Sequence, residues 1–200
     1  LGEVEKSFLL GRDGRMEIVI AAPAVPGFNL LLGPGLRART VEELASRFEL
    51  RRAVWSVAGE VETHDPAKAN EVLELAGETL NWVGLEDTYF LTAVVPLQPV
   101  AKARFRPVLL TPAGEPRTFD NKPVPPPPGE IAATDKDLPR DFVLELQARE
   151  GRIEATSYWG SKQLDRLTAM PYGLDKTVQL GMFGFLARPL LYSLQWIYAN

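Results

Sequence analysis

From Arg15 to Ala21 the chain alternates polar and apolar residues, which puts Met16, Ile18 and Ile20 on one face of a strand. Arg12-Asp13-Gly14-Arg15 before it carries the Asp-Gly signature of a tight hairpin turn. A second alternation starts at Phe48 and Leu50 and resumes after the Arg51-Arg52 pair as Ala53, Trp55 and Val57. That phase slip predicts a bulge or bend at the arginine pair. Late in the chain Phe142, Leu144, Leu146 and Ala148 share one face, with Glu145, Gln147 and Arg149 on the other. Glu150-Gly151 then turns the chain into Ile153, Ala155, Ser157 and Trp159, a pattern that predicts a β-hairpin. Several strands with turn signals between them favour a sandwich over a doubly wound sheet.

Other segments break the period of two. Asp65-Pro66 offers a helix start with Gly77 as the stop, although Val72 to Leu75 suits a strand equally well. From Ser161 onward the spacing is helical, with Ser161 as a cap and Leu164, Leu167 and Met170 at i, i+3 and i+6. Nine of the 17 prolines fall between Pro107 and Pro139, including Pro125 to Pro128. Proline lacks the N–H that a strand ladder needs, so an extended surface connection is expected there. Strand patterns on both sides make it a stiff link within one domain rather than a ligand for a proline-reading partner. No internal repeat is visible.

The last thirty residues change character. Only Asp175, Lys176 and Arg188 are charged between Pro171 and Asn200. Met182, Leu186, Leu190, Leu194 and Ile197 make an apolar stripe at helical period, and Pro189 predicts a kink near Arg188. A C-terminal helix packed on the core would explain the stripe alone. Aromatics on more than one face (Phe183, Phe185, Tyr192, Trp196 and Tyr198) favour a membrane interface, where an apolar ring and a polar edge are both satisfied. The candidate membrane-surface or partner helix therefore consists of Phe183, Phe185, Leu186, Leu190, Leu191, Leu194, Trp196 and Ile197. Its charge-free stretches are 11 and 12 residues long, from Thr177 to Ala187 and from Pro189 to Asn200. A spanning helix needs about 20 apolar residues, so this tail lies on a bilayer or approaches a span. Interfacial helices usually carry several basic residues, and Lys176 and Arg188 alone argue against autonomous binding.

Composition removes several chemistries. A formal net charge of −4 disfavours nucleic acid, since no basic block would neutralise phosphates. With no cysteine, disulfides and thiolate chemistry are excluded. The single histidine, His64, is followed by Asp65-Pro66 and reads as a solvated turn residue, not as a general base. Asp135, Asp137 and Asp141 fail the calcium-loop pattern, because Pro139 and Arg140 stand where an oxygen ligand and glycine are needed. Gly33-Pro34-Gly35 lacks the lysine and hydroxyl of a phosphate cradle, and a type II turn explains it. No catalytic, cofactor-binding or metal-binding residues are expected. No signal peptide opens the chain, and Leu1 in place of methionine suggests a processed or excised piece.

Two stretches carry a resemblance. Trp82-Val-Gly-Leu-Glu-Asp-Thr-Tyr-Phe-Leu-Thr-Ala-Val-Val-Pro96 is similar to the periplasmic tryptophan, Tyr-Phe and Ala-x-x-Pro pattern of the YidC family of bacterial membrane-protein insertases. Tyr158-Trp159-Gly160-Ser161-Lys162 resembles that family's aromatic-Gly-Pro-Lys element, with Ser161 in place of proline. Gly173-Leu174-Asp175 to Gly181 resembles its next segment, and Phe183 to Tyr198 its helix leading into the second transmembrane span. The resemblance implies the large periplasmic domain between the first and second transmembrane helices. It implies a mainly β fold, a β-supersandwich of two antiparallel sheets over residues 1–160 with short C-terminal amphipathic helices over 161–200. The expected function is non-catalytic support of inner-membrane protein insertion and folding, alone or with the Sec translocon. Expected partners are Sec accessory subunits, nascent membrane-protein substrates and, through the C-terminal helix, the membrane surface. Arg188 precedes the second span and is not the family's groove arginine. The competing expectation is a periplasmic carbohydrate-binding or sugar-mutarotase-like supersandwich. A single histidine argues against mutarotase chemistry, and glycan binding would fall to Trp55, Trp82 or Trp159.

Overall fold

Alternating strands dominate the computed structural model, which describes residues 3–11, 13–25, 27–36, 50–66, 71–110, 116–117 and 140–178, with Ser193 and Trp196. The chain divides into two compact units, Leu1–Ser161 and Lys162–Asn200. The first holds β1 (Glu5–Leu10), β2 (Arg15–Ala21), β3 (Asn29–Leu32), β4 (Arg51–Val57), β5 (Glu60–His64) and β6 (Leu73–Ala76). It continues with β7 (Leu80–Asp87), β8 (Phe90–Pro96), β9 (Lys102–Leu110), β10 (Pro116–Arg117), β11 (Arg140–Gln147) and β12 (Arg152–Ser161). A seven-stranded sheet runs in the order β1-β2-β12-β8-β7-β4-β5. A smaller sheet runs β10-β9-β11-β3, with β6 also on β9. Every pairing among the described residues is antiparallel.

The two sheets share one core, because each strand turns every second residue inward. The larger sheet contributes Ala53, Trp55, Val83, Leu85, Val94, Ile153 and Ala155; the smaller contributes Leu32, Ala103, Phe105, Phe142, Leu144 and Leu146. Trp55 and Phe105 bridge the layers with ring centroids 5.7 Å apart, and Phe105 meets Phe142 edge-on at 5.9 Å. Such ring pairs add about 0.5–1.5 kcal/mol each beyond the area they bury. The opposite face of the larger sheet is apolar as well. Val54, Trp82, Ala93 and Tyr158 lie there and are buried. Those strands are consequently apolar on both faces, which blurs the alternation in Ala53-Val-Trp55 and Ala93-Val-Val95.

Several local expectations hold and others change. The Asp13-Gly14 hairpin joins β1 to β2, with Met16, Ile18 and Ile20 on one face. Glu150-Gly151 does make a tight turn, closed by the Arg152 N–H donating to the Arg149 carbonyl at 3.0 Å. The strands it joins do not pair as a hairpin, however: β11 belongs to the smaller sheet and β12 to the larger. Both carry apolar faces directed at the same core, so the chain crosses between layers. The β4 irregularity sits between Ser56 and Val57, not at Arg51-Arg52, which both pair in register with β7. The Asp65-Pro66 helix does not reach Ala76, because Leu73–Ala76 forms β6 against β9. Gly33–Pro34 is a cis peptide, and Gly35 after it has a φ of 60°. Pro107 lies inside β9, in the gap between the β6 and β10 pairings on that edge, where a missing N–H costs least. The rest of the proline-rich stretch, apart from Pro116 in β10, lies outside the described residues.

In the second unit a short helix spans Leu164–Thr168 and a 3₁₀ turn spans Leu174–Thr177. Gln163, not Ser161, occupies the N-cap, since Ser161 is still the last residue of β12. Leu167, Met170 and Leu174 are buried, as the i, i+3 spacing of the first pair predicts. No helix among the described residues is long and apolar enough to cross a membrane.

Candidate functional site

The outer face of the smaller sheet is polar and ordered by charge. Successive outward positions of β9 place Lys102, Arg104 and Arg106 beside Gln147, Glu145 and Val143 of β11. Glu74 of β6 pairs with Arg104 in register, and its carboxylate receives Lys102 Nζ at 2.5 Å and Arg104 Nε at 2.8 Å. Those two hydrogen bonds hold the exposed Glu74 carboxyl below the usual glutamate range. Arg106 and Glu145 form a second ion pair, almost fully buried. Burial, with Arg104 next to it, lowers the Arg106 pKa below the ordinary arginine value. Asn29, Leu31 and Val72 complete an open groove of about 530 Å³ over these groups. Fixed donors and acceptors of this kind can hold an extended polar chain. They include no nucleophile and no histidine.

A second, apolar surface lies at one end of the larger sheet. Here β7 turns into β8 through Asp87-Thr88-Tyr89-Phe90. The Asp87 carboxylate accepts the Tyr89 N–H at 2.8 Å and the Phe90 N–H at 2.7 Å. Thr88 Oγ1 accepts the Leu50 N–H at 2.9 Å and ties the turn to the start of β4. Trp159 of β12 lies in register with Thr92, and Ser161 with Phe90. Leu36, Phe90, Leu91, Thr92, Trp159 and Gly160 line a shallow depression of about 340 Å³. Tyr89, Phe90 and Trp159 are exposed by 63%, 44% and 41%. The β1–β2 turn abuts them: the Trp159 N–H donates to the Gly14 carbonyl at 2.8 Å, and Leu9 and Leu10 stand exposed just before that turn.

The remaining sequence candidates scatter. His64 sits at the end of β5, opposite Ala53 and 6.0 Å from the Phe142 ring, against the core edge. Trp55 and Trp82 are buried and present no stacking surface, which leaves Trp159 as the one exposed ring of the three. Asp141 is buried in β11 and accepts the Phe142 N–H at 2.8 Å. Asp135 and Asp137 lie outside the described residues. Among the described residues no group of three or more histidine, aspartate or glutamate side chains could hold a metal. Of the predicted tail helix, Phe183, Phe185, Leu186, Leu190, Leu191, Leu194 and Ile197 lie outside the described residues. Trp196 is described and exposed.

The polar groove follows from no motif, whereas the aromatic end joins the Tyr89-Phe90 and Trp159-Gly160 elements of the two stretches that carry the family resemblance. The alternation Lys102-Ala-Arg-Phe-Arg106 signals the polar groove, with basic residues outward and Ala103 and Phe105 inward. The Asp87-Thr-Tyr-Phe turn signals the aromatic end, because a turn with two consecutive aromatics must expose at least one.

The described residues form a two-sheet antiparallel sandwich with two open surface sites, one polar and one aromatic. Residues 37–193 match the family model described as the YidC periplasmic domain. The chain belongs to that family and is a periplasmic domain of a bacterial inner-membrane protein. Similar relatives include the "Membrane protein insertase YidC" of Nitratidesulfovibrio vulgaris, 27% identical over 156 residues, covering 76% of this chain and 24% of the relative. That of Oleidesulfovibrio alaskensis is 27% identical over 175 residues, covering 86% and 28%. That of Marinobacter nauticus is 30% identical over 140 residues, covering 67% and 21%. The chain thus spans about a quarter of the length of these curated relatives.

Proposed function

We propose that this chain is the non-catalytic periplasmic domain of a membrane-protein insertase, acting alone or beside the Sec translocon. It supplies position and contact; the inserting machinery lies elsewhere in the protein. The observation that supports this reading is the match of residues 37–193 to the periplasmic-domain family model, on an antiparallel sandwich whose buried charges Arg106–Glu145 and Arg52–Glu86 are paired. The polar groove over Arg104, Glu74 and Glu145 is the surface offered to Sec accessory subunits or to periplasmic segments of nascent membrane proteins. Residues 161–200 lead toward the second transmembrane helix. Phe183, Phe185, Leu186, Leu190, Leu191, Leu194, Trp196 and Ile197 rest at the membrane surface.

The test is an insertion assay in proteoliposomes, comparing the full-length protein with one in which residues 1–160 are replaced by a flexible linker. Insertion that persists, with weaker copurification of Sec subunits, agrees with a supporting role. Complete loss of insertion by the linker protein, itself correctly folded in the bilayer, contradicts it.

A further inference from the structure

The aromatic end of the larger sheet is built as if to enter an apolar medium. Tyr89 and Phe90 are not on a loose loop, since the Asp87 carboxylate holds both amides and Thr88 anchors the turn to Leu50. Little conformational freedom remains to be lost when these rings are buried. Trp159 Nε1 donates to Ser157 Oγ at 2.8 Å, so the ring can leave water without stranding its donor. Two carboxylates near the rings are engaged, while Glu17, the register partner of Leu9, is exposed. Asp13 is paired with Arg15 at 2.6 Å, where the Arg15 backbone N–H and guanidinium hold it below the usual aspartate range. Asp87 is buried against the turn amides.

We propose that this end, with Tyr89, Phe90 and Trp159 at its centre and Leu9 and Leu10 beside it, is a lipid contact of the sandwich itself. It enters the headgroup region on the periplasmic face of the membrane. The inference rests on the reading above that the domain works at the membrane, but uses none of the C-terminal residues named there. Two observations favour lipid over a second copy of the chain or a folded partner. Five side chains, from the β1–β2 and β7–β8 hairpins and strand β12, fall well short of the roughly 20–30 residues per side of a stable protein interface. Tryptophan, tyrosine and phenylalanine together are the mixture enriched at bilayer interfaces.

The chain has no cysteine, so a single introduced thiol reports one position. Tyr89→Cys and Glu60→Cys variants of the full 200-residue chain carry a polarity-sensitive dye; Glu60 opens β5 just after the β4–β5 turn, at the other end of the sheet. Vesicles of phosphatidylethanolamine and phosphatidylglycerol are added, with and without brominated acyl chains. The expected result is a blue shift and bromine quenching at position 89 and neither at position 60. Phe90→Asp, or the milder Phe90→Ser should the first not fold, lowers partitioning about tenfold, as loss of one buried aromatic ring implies. Repeating the measurement on Phe183→Asp/Leu190→Asp separates the two surfaces. A response at 89 that survives there supports the rim whatever the tail does. A silent label at 89 on a chain that still floats with vesicles overturns the rim and leaves the tail reading standing. Equal responses at 60 and 89 indicate general adsorption and also overturn it.

Discussion

Arg52 Nη2 and Glu86 Oε1 meet at 2.7 Å across β4 and β7, on the face of the larger sheet turned away from the shared core. Glu86 is almost fully buried and Arg52 nearly so. Two charges taken from water this far are held by each other and by the register that opposes them. Removing one partner leaves the other stranded, which costs about 3–5 kcal/mol where a pair is buried. Glu86→Ala should therefore lower the urea midpoint strongly. The double variant Arg52→Met/Glu86→Leu should lose much less, and a double-mutant cycle from urea titrations measures the difference. Equal losses in both proteins would show that the pair does not act as a unit.

Gly14 lies in the β1–β2 turn, toward the other edge of the same sheet. Its φ is +82°, and a Cβ there would come within 2.8 Å of the Trp159 carbonyl oxygen. Gly14→Ala must adopt a strained backbone and push against β12, for about 1–3 kcal/mol of stability. Thermal unfolding should show the loss. The Trp159 dye-free fluorescence should move with it, since the Trp159 N–H donates to the Gly14 carbonyl.

Glu74 carries a pH dependence. Its folded pKa lies below the ordinary value of 4.5 because Lys102 and Arg104 hydrogen-bond its charged form. A depressed carboxyl stabilises the fold above the unfolded pKa, and this is lost as pH falls through the folded one. Glu74→Gln should therefore differ from the parent at neutral pH and converge with it as pH drops below 4.5. Denaturant midpoints across the acid range check this, and added salt should shrink the difference, since the pair is exposed.

Phe105 is fully buried between Trp55 of one sheet and Phe142 of its own. Phe105→Ala should cost about 3–5 kcal/mol, while Phe105→Leu keeps most of the volume and costs less. Amide exchange should then rise in both sheets, because one core serves them.

The sequence made the strands legible where one face meets water. β2 announces itself this way through Met16-Ile18-Ile20, while β11 alternates in chemistry from Phe142 to Leu146 although both of its faces are buried. Strand partners were harder to read. A two-residue turn at Glu150-Gly151 suggests a hairpin, yet only the core shared by Leu146 and Ile153 decides that their strands join different sheets. Val72 to Leu75 suited helix and strand equally, and tertiary pairing decides for strand, as β6 gains the edge of β9 and a Glu74–Arg104 contact that no local pattern reveals. Charged groups told least. Nothing in Arg106 and Glu145, separated by the whole proline-rich segment, marks them as neighbours until β9 and β11 align.

Whether the domain is held at a membrane through its C-terminal segment is decided most directly by vesicle flotation of the 200-residue chain against its Phe183→Asp/Leu190→Asp variant. The parent is predicted to float with phosphatidylethanolamine–phosphatidylglycerol vesicles, and the variant, equally folded by circular dichroism, to remain largely in the dense fraction. Equal flotation of the two proteins, or no flotation of the parent, would contradict placement of the tail at the membrane surface.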